Sequence, residues 1–227
     1  MSWKPWMVAS LGVALVAACS DTIVEPPANG AELRLLHASA GFGNLELEVG
    51  GTTVIRDVPY GRSSPLVIVP SGSQRLVVRA GGTVVGTIDG NLAATHVNSV
   101  IVAGGVPQLA SQVDPDTGTV APARANIRFV VHGTDNTAAP TQLHALLSGT
   151  TLPVDSTMRF GIDATVSRYW SLMYFNPGRF TVKFVPQGAT TPVLTEATFD
   201  VATGEAKALV LRREAGGAYK VDVVVEP

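Results

Sequence analysis

The chain has 227 residues, 46% of them hydrophobic and 15% charged, with a net charge of −2. That hydrophobic content excludes disorder as the default state, and the near-neutral balance leaves no basic field for nucleic acid. One cysteine excludes an intrachain disulfide framework, and 23 glycines with 15 prolines argue against long helices.

The N-terminus reads as a targeting segment. Lys4 is the only charge among the first twenty residues, and Trp6–Ala18 is apolar except for Ser10 and Gly12. Thirteen residues rise about 20 Å as a helix, short of the roughly 30 Å hydrocarbon core. A cleaved signal peptide over 1–18 is therefore expected. Its end, Val16-Ala17-Ala18-Cys19, resembles the lipobox of bacterial lipoproteins. The resemblance implies lipidation of Cys19, and Ser20 after the cysteine is similar to the outer-membrane class. Residues 19–31, with Pro26, Pro27 and Gly30, read as a lipidated tether.

From Leu33 onward the apolar runs are short, β-branched and interrupted by turn residues, the signature of an all-β fold. Strands are predicted at Leu33–His37, Leu45–Val49, Thr52–Ile55, Leu66–Val69, Arg75–Arg79, Thr83–Ile88 and Val97–Ala103. Gly50-Gly51 and Gly81-Gly82 mark hairpin turns between them. About seven strands in roughly 75 residues is sandwich density.

Residues 111–123 are polar and carry Pro115, Gly118 and Pro122, so they are predicted to link two domains, 32–110 and 124–227. The pattern then restarts. Ala31-Glu32-Leu33-Arg34-Leu35 matches Ala125-Asn126-Ile127-Arg128-Phe129, with a histidine after each at His37 and His132. Tyr60-Gly61 is aligned with Phe160-Gly161, Pro70-Ser71-Gly72 with Asn176-Pro177-Gly178, and Ser99–Ala103 with Ala206–Val210. A final strand is expected at Tyr219–Val225. Two tandem immunoglobulin-like β-sandwiches, folding separately, account for the length.

The first copy also resembles a known family. Leu33-Arg34-Leu35-Leu36-His37-Ala38-Ser39, Val58-Pro59-Tyr60-Gly61 and Val67-Ile68-Val69-Pro70-Ser71-Gly72 are similar to the domain-of-unknown-function family 4397 over Glu32–Leu109. The resemblance implies an immunoglobulin-like sandwich in a bacterial cell-envelope protein, often a lipoprotein. It supplies no catalytic residues.

Motifs for chemistry are sparse. The chain has no Gly-x-Ser-x-Gly elbow, phosphate loop or His-Glu-x-x-His. His37, His96, His132 and His144 include no i, i+2 pair that would set two ligands on one strand face. His37 and His132 are expected to bond loop carbonyls, and Asp114–Gly118 to form a turn and not a calcium loop. No catalytic residue, metal or cofactor is assigned.

The segment Arg168–Phe175 holds Trp170, the one tryptophan beyond the signal segment, together with Tyr169, Tyr174 and Phe175. Strand alternation would set Trp170, Leu172 and Tyr174 on one face and Tyr169, Met173 and Phe175 on the other. Burial of Trp170 in the core or against the first domain is the expected outcome. The alternative makes Tyr169, Trp170 and Tyr174 an exposed ligand contact. The sequence reading is a lipid-anchored envelope protein with a non-enzymatic binding or structural role. Its partners would be the membrane, through Cys19, and an envelope protein or glycan. The alternative is a surface hydrolase or carbohydrate-active enzyme drawing on carboxylates such as Glu46, Glu48 and Asp57.

Overall fold

The computed structural model describes residues 30–94, 96–112, 124–132, 142–152, 157–163, 168–170, 174–214 and 217–227. These residues form strands and turns with no helix. The first unit contains β1 (Gly30–Ala38), β2 (Leu45–Val49), β3 (Thr52–Val58), β4 (Val67–Pro70), β5 (Gly72–Ala80), β6 (Thr83–Leu92), β7 (Val97–Ala103) and β8 (Val106–Gln112). They make two four-stranded sheets, β4-β1-β7-β8 and β3-β2-β5-β6. Gly50 and Gly51, at φ 57° and 87°, supply the two positive-φ positions that a tight hairpin between twisted strands requires. Gly81-Gly82 and Gly104-Gly105 do the same for β5/β6 and β7/β8.

The second unit repeats the order. It comprises β9 (Ala125–Val131), β10 (Gln142–Gly149), β11 (Met158–Asp163), β12 (Arg168–Trp170), β13 (Tyr174–Phe175), β14 (Gly178–Pro186), β15 (Thr195–Val201), β16 (Ala206–Arg213) and β17 (Tyr219–Glu226). Its sheets are β12-β9-β16-β17, with β13 also on β9, and β11-β10-β14-β15. The two units are thus β-sandwiches of matching topology. In each, the first strand pairs in parallel with a late one, β1 with β7 and β9 with β16.

These registers align the repeats residue by residue. Leu33 lies beside Asn98 and Ile127 beside Lys207, so Ser99 corresponds to Ala208 and not to Ala206. A two-residue slip keeps every side chain on its face, so alternation in the sequence could not detect it. Tyr60-Gly61 lies in the turn after β3, whereas Phe160-Gly161 lies within β11, so that correspondence does not hold. Strand β8 had no sequence counterpart because Pro107 interrupts it. At the edge of a sheet, a proline costs no ladder hydrogen bond on its free side.

Each sandwich has its own core. Leu33, Leu35, Leu45, Leu47, Leu76 and Val100 fill the first, and Phe129, Phe180, Phe184, Leu147 and Leu209 the second. The first closes tightly where β6 meets β8. A Cβ on Gly86 or Gly90 would come within 2.6 Å of Pro107 or Leu109, so glycine permits the approach. At the opposite edge, β3 and β4 each end their sheets, with no further strand among the described residues.

Every residue of β7 and of β9 is buried, although a strand in an isolated sandwich buries only one face. The cause is a third apolar cluster between the sandwiches. Leu36, Ala38, Ile101, Ala103 and Ala110 of the first meet Val130, Ala208, Val210 and Val224 of the second. Small side chains allow the two sheets to approach closely across this seam.

Candidate functional site

Charged side chains line the seam as well. Arg34 and Arg128, matched by the sequence repeat, point to one carboxylate at the far end of the chain. Arg34 Nη1 lies 3.0 Å from Glu226 Oε1, and Arg128 Nη1 lies 2.8 Å from Glu226 Oε2. None of the three side chains is more than 5% exposed. Arg34 Nε also donates to Ser99 Oγ at 3.0 Å. In so dry a setting, losing one partner of these ion pairs is costly.

A second group closes the rim. Arg212 Nε donates to Asp222 Oδ2 at 2.8 Å, and the Tyr60 hydroxyl of the first sandwich donates to Asp222 Oδ1 at 3.1 Å. Burial raises the Tyr60 pKa above its usual value. The Asp222 carboxylate adds to the rise, and Arg212 opposes it. The backbone joins in, with Ser63 N–H donating to the Val225 carbonyl and Val225 N–H to the Gly61 carbonyl, at 3.0 and 2.9 Å.

The histidines bond carbonyls, as the repeat suggested. His132 Nε2–H donates to the Val106 carbonyl at 2.8 Å, another bond between sandwiches. His37 Nδ1 and Nε2 lie 3.0 and 2.9 Å from the carbonyls of Val58 and Ser39. Burial lowers the His132 pKa below 6.5, and the nearby Arg212 charge lowers it further, against the opposing hydrogen bond. The unfolded chain therefore takes up a proton more readily than the folded one. The stability linked to this residue is complete above about pH 6.5 and falls as acid is added below it. Denaturant melts between pH 7 and 5 should show a shallower loss for His132→Gln than for wild type. Equal slopes would remove His132 from the account.

The carboxylates weighed for catalysis are separated in role. Glu48 Oε1 accepts from Arg79 Nε at 2.6 Å on the outer face of β2 and β5, where Glu46 stands opposite Arg79. Asp57 lies on β3, in the stretch between Ile55 and Val58 that faces Glu46 of β2. Among the described residues, no group of three or more His, Cys, Asp or Glu side chains could hold a metal ion.

Of the aromatic segment, Tyr174 is exposed and Phe175 is buried against Phe180, 5.4 Å between ring centroids. The side chains of Tyr169 and Trp170 lie outside the described residues, as do Cys19, 113–123 and 171–173. The backbone register pairs Trp170 with Phe129, Tyr174 with Asn126 and Phe175 with Ala125 of β9.

A surface cleft lies at the β3/β4 edge. About 250 Å³ in volume, it runs between β3 and the segment leading into β4, with Val54, Val58, Pro65 and Val67 among its walls. Arg56 and Asp57 also line it. On β2, Leu45 and Leu47 oppose Val58 and Ile55, so β3 carries an extra residue there and bulges. Asp57 has φ 55° and is the one non-glycine residue at positive φ among those described. Both side chains are exposed and make no hydrogen bond or ion pair within the described residues. By contrast the Ser63 and Ser64 hydroxyls are satisfied by the carbonyls of Ser64 and Pro65.

Residues 31–139 match the family described as Domain of unknown function (DUF4397). The resemblance carried by Leu33–Ser39, Val58–Gly61 and Val67–Gly72 is thereby borne out. The DUF4397 match covers the first sandwich from Ala31 on and continues through β9, the strand that bears Arg128. It therefore includes both arginines of the seam. Comparison with curated proteins found no match.

Proposed function

We propose that this protein is a non-enzymatic binding or structural module of the bacterial cell envelope, held at the outer membrane through acylated Cys19. The observation that carries the proposal is the use made of buried charge. Arg34, Arg128, Glu226, Arg212 and Asp222 are engaged with one another across or beside the seam, where they hold two sandwiches as one body. A module of this kind presents fixed edges and faces to a partner. The lipobox-like Val16-Ala17-Ala18-Cys19 supports the anchoring. Several acyl chains on one residue give stable attachment, since one chain alone is marginal.

Cells expressing the full chain should carry it in the membrane fraction, labelled by a palmitate analogue. Cys19→Ala should lose both label and membrane association. An unlabelled wild-type chain, or a Cys19→Ala chain that still labels and pellets, would end the anchoring claim.

A further inference from the structure

We propose that the cleft between β3 and β4 is a docking site for an extended peptide, which adds as a strand at the β3 edge and seats one apolar side chain in the cleft. The inference rests on the binding-module reading above and names the class of partner. Four observations carry it.

First, β3 and β4 both terminate their sheets, so among the described residues no strand lies beside the outer backbone edge of β3. An unpaired edge is a template for a further strand. The fold already uses this device elsewhere, since the Gly61–Ser63 segment bonds along the outer edge of β17. Second, the cleft of about 250 Å³ is smaller than the roughly 300–1,000 Å³ of small-molecule pockets. That size suits a side chain better than a whole ligand, and Val54, Val58, Pro65 and Val67 make it apolar.

Third, Arg56 and Asp57 stand at the cleft as adjacent opposite charges without partners among the described residues. A complementary peptide carries an acidic and a basic residue flanking its apolar one. Fourth, β3 bulges at these two residues and Asp57 has positive φ. Backbone of this kind costs stability and persists where the surroundings fix it.

The test uses the full chain in detergent and a fluorescein-labelled, C-terminally amidated peptide of sequence Thr-Glu-Val-Lys-Thr, read by fluorescence anisotropy. Saturable binding below about 1 mM is expected. Replacing the central valine by glycine should abolish it. Arg56→Glu should weaken binding at least about fivefold, and exchanging the peptide's Glu for Lys should restore it to that variant. Asp57→Asn, which tolerates positive φ, should weaken it without lowering the melting temperature. Absence of binding, equal binding by Arg56→Glu, or equal competition by free valine would overturn the docking site. Mass spectrometry of the recovered peptide separates the two readings. A cleaved peptide would overturn the non-enzymatic role, whereas an intact, unbound peptide would overturn only the docking inference.

Discussion

Glu226→Gln is expected to destabilise the protein by about 3–5 kcal/mol, the range for removing one partner of a buried ion pair. The side chain keeps its size, so the loss reports charge. Arg34 and Arg128 would remain in the dry seam without the carboxylate they share. Replacing Arg34, Arg128 and Glu226 together by apolar residues of similar size should cost far less than Glu226→Gln alone, because no charge is then left buried. Urea melts of the three proteins, wild type included, decide the matter. A Glu226→Gln protein within about 0.5 kcal/mol of wild type would show that the pairing contributes little.

Phe180→Ala is expected to cost about 3–5 kcal/mol, as for deleting a large buried aromatic. Phe180 is fully buried in the second core, tilted against Phe175 and stacked on Phe199 at 6.2 Å. The seam makes a further demand on this variant. If the sandwiches unfold together, circular dichroism and the fluorescence of Trp170, which lies in β12, should show one shared transition at a lowered midpoint. Two separated transitions, with only the second sandwich affected, would show that the seam does not couple them.

Much of the fold was legible because alternation and Gly-Gly turns are local. Leu45–Val49 and Val97–Ala103 stand where the sequence placed them, and the hairpins turn at the glycines. Elements that depend on partners were harder. Whether Pro107 is tolerable depends on its being at an edge, which is set by sheet order. The slip between Ser99 and Ala206 is invisible to a pattern of period two. The bulge at Arg56 and Asp57 breaks the alternation that reveals strands at all.

The seam shows the same boundary between local and distant information. Arg34 and Arg128 were visible as a repeat, yet a charged residue within an apolar strand has no assigned partner until the fold supplies one. Glu226 lies almost 100 residues beyond Arg128, and nothing in its own neighbourhood marks it. Complete burial of β7 and β9 was a hint, since both read as continuous apolar runs broken only by Asn98, Ser99, Asn126 and Arg128. Strands covered on both faces give such runs, and in a tandem sandwich the second cover is the neighbouring domain.

The central claim is that the two sandwiches form one body through this seam. A specific protease site placed after Gly118 in the soluble Ser20–Pro227 form tests it most directly. After cleavage, wild-type halves should elute together in gel filtration as a one-to-one complex at the position of the uncut protein. The same cut in Glu226→Gln should release them more readily. Wild-type halves that elute separately, each folded, would contradict the account.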